Sequence, residues 1–260
     1  MRILLLLLLT GTRLPAQDRA AHSRPGPVAV RFSEGSTHGF LELRADNDSV
    51  IGSGTLLQVP KDKYVESRLI LSFRDGSRFE ETTRYTQHQV FKVIWYRLVQ
   101  RGPAFERDLD ATLESSGRWI VKTKSHKDGD VDSTSGQLEL PEDWANGLPL
   151  VMAKNLRWGD TSEVHVVAFT PKPRIIGLQV ASAGRDSLIH GGERLAVAHY
   201  VLKPKIGGVT GLLGKLLGKI PPDSEMWIVT EDVPTFLAFR GPMYTGPIWR
   251  LRLAAPRWPQ

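Results

Sequence analysis

The 260-residue chain contains no cysteine. This excludes disulfides, thiolate metal sites, a cysteine nucleophile and a lipid carried on an amino-terminal cysteine. Charge of one sign is also in short supply. The 34 Lys and Arg only modestly outnumber the 28 Asp and Glu, and no arginine-rich block concentrates the net +6. Such a balance fits a solvated surface and permits weak attraction to anionic headgroups, and it gives no footprint for nucleic acid. Long apolar runs are few. Ile3 to Leu9 is unbroken, but far short of the roughly 20 residues of a spanning helix, and no later segment reaches that length. No transmembrane span is expected. Catalytic signatures are missing as well: there is no G-x-S-x-G, no Walker loop, no G-x-G-x-x-G between a strand and a helix, and no H-E-x-x-H. The sequence calls for no cofactor and designates no catalytic residue.

The amino terminus carries a positive pattern. Met1-Arg2, the run Ile3–Leu9 and the small residue in Leu14-Pro15-Ala16 predict a secretory signal peptide over 1–16. Export to the periplasm or the medium follows, and removal of the leader takes Arg2 and Arg13 with it. Residues 17–27 are polar with Pro and Gly and read as a flexible lead-in. Residues 28–260 read as a single antiparallel β domain.

The clearest structural signal is Arg107 to Lys124. Gly117 in Ser115-Ser116-Gly117 suits the position of a three-residue hairpin loop that needs positive φ. Counting outward pairs Leu113 with Trp119, Ala111 with Val121 and Leu109 with Thr123 on one face. The other face pairs Glu114 with Arg118, Asp110 with Lys122 and Asp108 with Lys124. A slip of one residue would break both sets. Gly76 in Arg74-Asp75-Gly76 similarly pairs Leu71 with Phe79. Strand signals run from Val28 to Leu140 without a helix-length gap and resume from Val164 to Leu253. A meander of this length must curl or close to manage its edges. The fold class is therefore mainly β: an antiparallel meander forming a strongly curved sheet or incomplete barrel. Pro141 to Leu156, with Trp144, Leu148, Met152 and Leu156 spaced by four, predicts one kinked helix on the concave face. Ile206 to Ile220, rich in Gly and Leu, predicts a core-packing crossover, a short apolar flap over the mouth of the sheet, or a membrane-surface helix with Lys215 and Lys219 towards headgroups.

Several short stretches resemble a group of exported bacterial proteins of unknown function. They are Leu98-Val99-Gln100-Arg101-Gly102-Pro103, Thr170-Pro171-Lys172-Pro173-Arg174, Ala198-His199-Tyr200-Val201, Gly218-Lys219-Ile220-Pro221-Pro222-Asp223 and Gly246-Pro247-Ile248-Trp249-Arg250. The likeness runs from about Val28 to Trp258. It implies no activity and transfers no catalytic position. By overall pattern it implies the curved half-barrel sheets that shuttle or sense lipids in the bacterial envelope, a likeness of fold that does not fix function.

The expected function is an exported, non-enzymatic protein that binds a lipid or other apolar ligand in the concavity. Trp95, Tyr96 and Leu98 are the candidate lining, with Leu212, Leu213, Leu216 and Leu217 on the flap. One alternative is an envelope scaffold with a filled core and a protein partner. Another is a hydrolase whose site is assembled from distant residues. Asp128, Asp130, Asp132 and Glu139 match calcium-loop positions one, three, five and twelve, but Ser133 stands where the loop needs Gly. Alternate carboxylates on the wet face of a strand explain them better, so no metal is expected. His165 and His199, both in predicted strands, are candidates to meet across the sheet.

Overall fold

The computed structural model describes residues 23–169, 173–205, 221–231, 233–243 and 246–255. The signal-peptide reading of 1–16 lies outside the described residues, as does the flap with Leu212, Leu213, Leu216 and Leu217.

The first run of strands is a succession of hairpins: β2 (Thr37–Ala45), β3 (Val50–Pro60), β4 (Val65–Phe73), β5 (Arg78–Gln87), β6 (Phe91–Arg101), β7 (Arg107–Glu114), β8 (Arg118–Ser125) and β9 (Val131–Gln137). Turn glycines set the registers. Gly76 has φ 85° and Gly117 φ 86°, a conformation that an L side chain resists. Leu71 pairs with Phe79, and Leu113, Ala111 and Leu109 pair with Trp119, Val121 and Thr123, as counting predicts. The charge partners on the outer face of this last hairpin follow the count only in part. Glu114 and Arg118 bond at 2.6 Å, but Asp110 takes Arg97 at 2.7 Å and Asp108 takes His126 at 2.8 Å. The Arg97 guanidinium reaches both Asp110 oxygens from β6, a bidentate grip that a lysine cannot make.

A second run follows: β10 (Thr161–Ala168), β11 (Arg174–His190), β12 (Glu193–Lys205), β13 (Ser224–Val229), β14 (Thr235–Pro242) and β15 (Ile248–Leu253). Ser23–Pro25, within the stretch read as a lead-in, forms a short strand β1. Among the described residues the strands make one sheet in the order β1-β10-β11-β12-β13-β14-β15-β2-β3-β4-β5-β6-β7-β8-β9. All pairings are antiparallel except β1 with β10. The seam is β15 on β2, where Leu251 faces Leu43 and Leu253 faces Leu41. The turn after β2 is latched over that seam: Asp46 binds Arg240 at 3.0 Å and Arg250 at 3.3 Å. The two edge strands do not pair, so the sheet is not closed into a barrel.

The sheet is nonetheless bent on itself. Register shifts occur at Leu43/Arg44, Arg84/Tyr85, Ser182/Gly184 and Trp227/Ile228, and bulges of this kind bend strands and increase twist. Tyr96 of β6 stacks on Phe169, just beyond β10, with ring centroids 5.9 Å apart. These residues belong to opposite wings of the sheet, so the wings face each other and share one core. That core holds Leu43, Leu71, Phe79, Tyr85, Leu98 and Leu113 from one wing with Val164, Val180, Tyr200 and Ile228 from the other. The outer face of the first wing carries ion pairs instead: Glu66–Arg84 and Arg68–Glu80 at 2.8 Å, and Arg78–Glu80 at 2.9 Å.

The connection from β9 to β10 must travel from one edge of the sheet to the other, and it crosses the concave side. It is less helical than its spacing predicts. Only α1 (Pro149–Asn155) is helix; residues 142–147 form turns and a bridge from Trp144 to His165. Gly147 sits at φ 72° and interrupts any helix begun at Pro141, while Pro149 suits the first turn of a new one. A Cβ on Gly147 would overlap Thr83 Oγ1 of β5. Asn146 meanwhile bonds Val167 of β10 in both directions, at 3.0 and 2.6 Å. The crossover is thus fastened to both wings. In the last turn of α1, Asn155 Oδ1 accepts the Arg31 and Phe32 amides, and Lys154 pairs with the buried Glu34 at 2.6 Å.

Candidate functional site

A cavity of about 290 Å³ lies in the trough between the wings, close to the lower end of the range of roughly 300–1,000 Å³ for small-molecule sites. Leu56, Leu69 and Leu98 line it from β3, β4 and β6, and Leu178, Leu202 and Met226 from β11, β12 and β13; the crossover adds Asn146, Gly147, Pro149, Leu150 and Val151. Its inner-facing residues follow from strand parity. Leu56 faces Leu69, Leu69 faces Glu81, and Glu81 faces Leu98, so four neighbouring strands place one row of side chains into the trough. The next row runs Gln58, Ser67, Thr83 and Tyr96.

Tyr96 and Leu98 both line this cavity. Trp95 does not join them. The register shift opposite Arg84/Tyr85 inserts Ile94 as an extra residue of β6. Val93 and Tyr96 then face inward while Trp95 turns outward, beneath the Arg84 guanidinium at 4.8 Å from its ring centre. Strict alternation from Val93 would send Trp95 inward, and the bulge reverses it.

Sequence reasoning missed Glu81. It is the acidic side chain among the described lining residues, and none of those residues is Lys, Arg or His. Tyr96 Oη donates to Glu81 Oε1 at 2.7 Å. Burial pushes the Glu81 carboxyl above its ordinary range, and the Tyr96 hydrogen bond offsets this only in part. Deeper along the same strand, Gln58 Nε2 donates to Tyr85 Oη at 3.1 Å. Burial, then the nearby Glu34 carboxylate, push that phenol well above its usual value. A usable signal was present for Glu81. Counting from the Gly76 turn puts Phe79 inside, and two residues on puts Glu81 inside with it.

The other candidates are dispersed. Asp128 and Asp130 sit at the β8–β9 turn, where Asp128 Oδ1 accepts the Asp130 amide at 3.2 Å. Asp132 pairs across from Thr123, and Glu139 lies past the end of β9. Among the described residues no group of three or more His, Asp or Glu is placed to hold a metal ion. His165 and His199 do not meet. His165 bonds Asp143 at 2.7 Å on the crossover, whereas His199 stacks on Trp227 with ring centroids 4.9 Å apart. Their strands place them in different rows, opposite Gly177 and Gly184.

No protein-family model, curated protein or solved structure matches the chain.

Proposed function

We propose that the protein is an exported, non-enzymatic binder of a lipid or similarly apolar molecule, held in the trough of the bent sheet. The observation that carries this reading is the apolar cavity between the wings, with leucines on facing walls and a carboxyl–phenol pair among them. A trough of this kind removes apolar surface from water at about 25 cal/mol per Å², which suits a chain-like ligand. Export rests on the leader pattern at 1–16, and the resemblance to exported bacterial proteins belongs to the same proposal.

Native mass spectrometry of protein isolated from its own envelope, followed by solvent extraction, tests the reading. A stoichiometric apolar adduct is the expected result. Uptake of the neutral fluorophore N-phenyl-1-naphthylamine gives a second readout, and Leu56→Trp, which fills the trough from β3, should abolish it while the thermal transition persists. A clean apo mass together with no probe uptake would sink the proposal.

A further inference from the structure

Glu81 is placed where a carboxyl is costly. Leu69 and Leu98 flank it across the sheet, Phe79 and Thr83 precede and follow it on the same face, and Asn146 and Gly147 of the crossover face the same cavity. The charges on the elements packed around it point elsewhere. On β4, Glu66 and Arg68 bond to outer-face partners; on β5, Arg78, Glu80 and Arg84 do the same; on β6, Arg97 holds Asp110. The opposite wing presents Val166, Leu178 and Met226. Among the described residues Tyr96 faces Glu81 through its hydroxyl, and its ring is aligned by the parallel stack on Phe169, with an interplanar angle of 2°. One carboxyl oxygen is thereby oriented by the phenol, and the carboxyl as a whole lines the cavity.

Resting on the cavity reading, we propose that Glu81 and Tyr96 read the polar end of the bound molecule, and that the ligand is an uncharged amphiphile whose hydroxyl or ester oxygen hydrogen-bonds the Glu81 carboxyl. A protonated carboxyl donates to an acceptor oxygen and also accepts from a hydroxyl, so it satisfies either group without placing a net charge in the trough. An anionic head meets no cation among the described lining residues and would stay desolvated. An ammonium head would need Glu81 ionised, against the push that burial exerts on it.

The test uses the full chain and probes of one chain length: decanol, methyl decanoate, decanoate and decyltrimethylammonium. Each displaces N-phenyl-1-naphthylamine from about pH 5 to about pH 9. The alcohol and ester should bind about tenfold or more tighter than either ion near neutral pH. Ester binding should weaken as pH rises through the Glu81 pKa, because a carboxylate has no proton to donate to the ester oxygen, and Glu81→Gln should flatten that profile. Tyr96→Phe removes a bond that favours the ionised carboxyl, so its profile should move to higher pH. Equal affinity for all four heads, tighter binding of either ion, or an unchanged profile in both variants would overturn the headgroup assignment and leave the cavity reading standing. No displacement or uptake by the wild-type chain would overturn both.

Discussion

Glu80 and Glu81 are neighbours in β5, and the pleat sends one to each face of the sheet. On the outer face, burial pushes the Glu80 carboxyl up, but hydrogen bonds from Arg68 and Arg78 outweigh it and hold the group below its ordinary value. On the inner face, Glu81 has a phenol in place of guanidinium partners, and its carboxyl goes up. The same side chain is held by two arginines on one side and by a phenol among leucines on the other. Charge is inexpensive where solvent and arginine share it, and costly where neither does, so the outer pairs organise a wet surface and the inner carboxyl marks the trough.

The contrast can be broken most strongly from the inside. Leu98→Ala, on the trough wall, should destabilise the fold by about 2–5 kcal/mol, since the cavity beside it already limits repacking. Urea titration measures it, and a loss below about 1 kcal/mol would mean that the wall is not load-sharing core. Next comes pH. Because the folded pKa of Glu81 is raised, its contribution to stability is fully present below the unfolded value of about 4.5 and is lost as pH rises through the folded pKa. Glu80 behaves in the opposite sense: its contribution is present above the unfolded pKa and is lost as pH falls through the folded one. Denaturant titrations in a pH series should show that Glu81→Gln removes the alkaline-side decline and leaves the acid-side decline intact. If the decline is the same in the variant, Glu81 is solvated. The smallest effect belongs to the outer face. Arg97→Ala, which breaks the pair with the partly exposed Asp110, should cost about 0.2–1 kcal/mol and less at high salt.

The difference between the faces also explains what could be read in advance. The hairpin from β7 to β8 was legible because an apolar stripe, a charged stripe and Gly117 agree on one register. Glu81 was hidden because Glu80-Glu81-Thr82-Thr83 is polar on both faces, so composition gives no inside. Only the parity carried from Leu71 and Phe79 across Gly76 assigns it. Trp95 was misplaced for a related reason: one bulged residue, Ile94, inverts every face assignment beyond it. The far half of β11 carries no apolar alternation, since Ser182, Gly184, Arg185 and Asp186 interrupt it, although the strand continues through the bulge to His190 and turns at Gly191-Gly192 into β12. The helix was overextended because a spacing of four at Trp144, Leu148, Met152 and Leu156 also arises when turns present the same residues to one core.

The seam between β15 and β2 has a consequence for how the molecule comes into being. Strands β2 to β9 pair with their sequence neighbours and close short loops, so that wing is free to assemble early. Strand β2 also waits for a partner made almost at the other end of the chain, Leu41 for Leu253 and Leu43 for Leu251. Until β15 arrives, β2 is an unpaired edge with exposed hydrogen-bonding groups, and the loop that must close is nearly the whole protein. This pairing spans the largest sequence separation in the described sheet, which favours a late joining of the wings, and the trough between them needs both. On the proposed binding reading, a guest that bridges both wings would hold the seam shut.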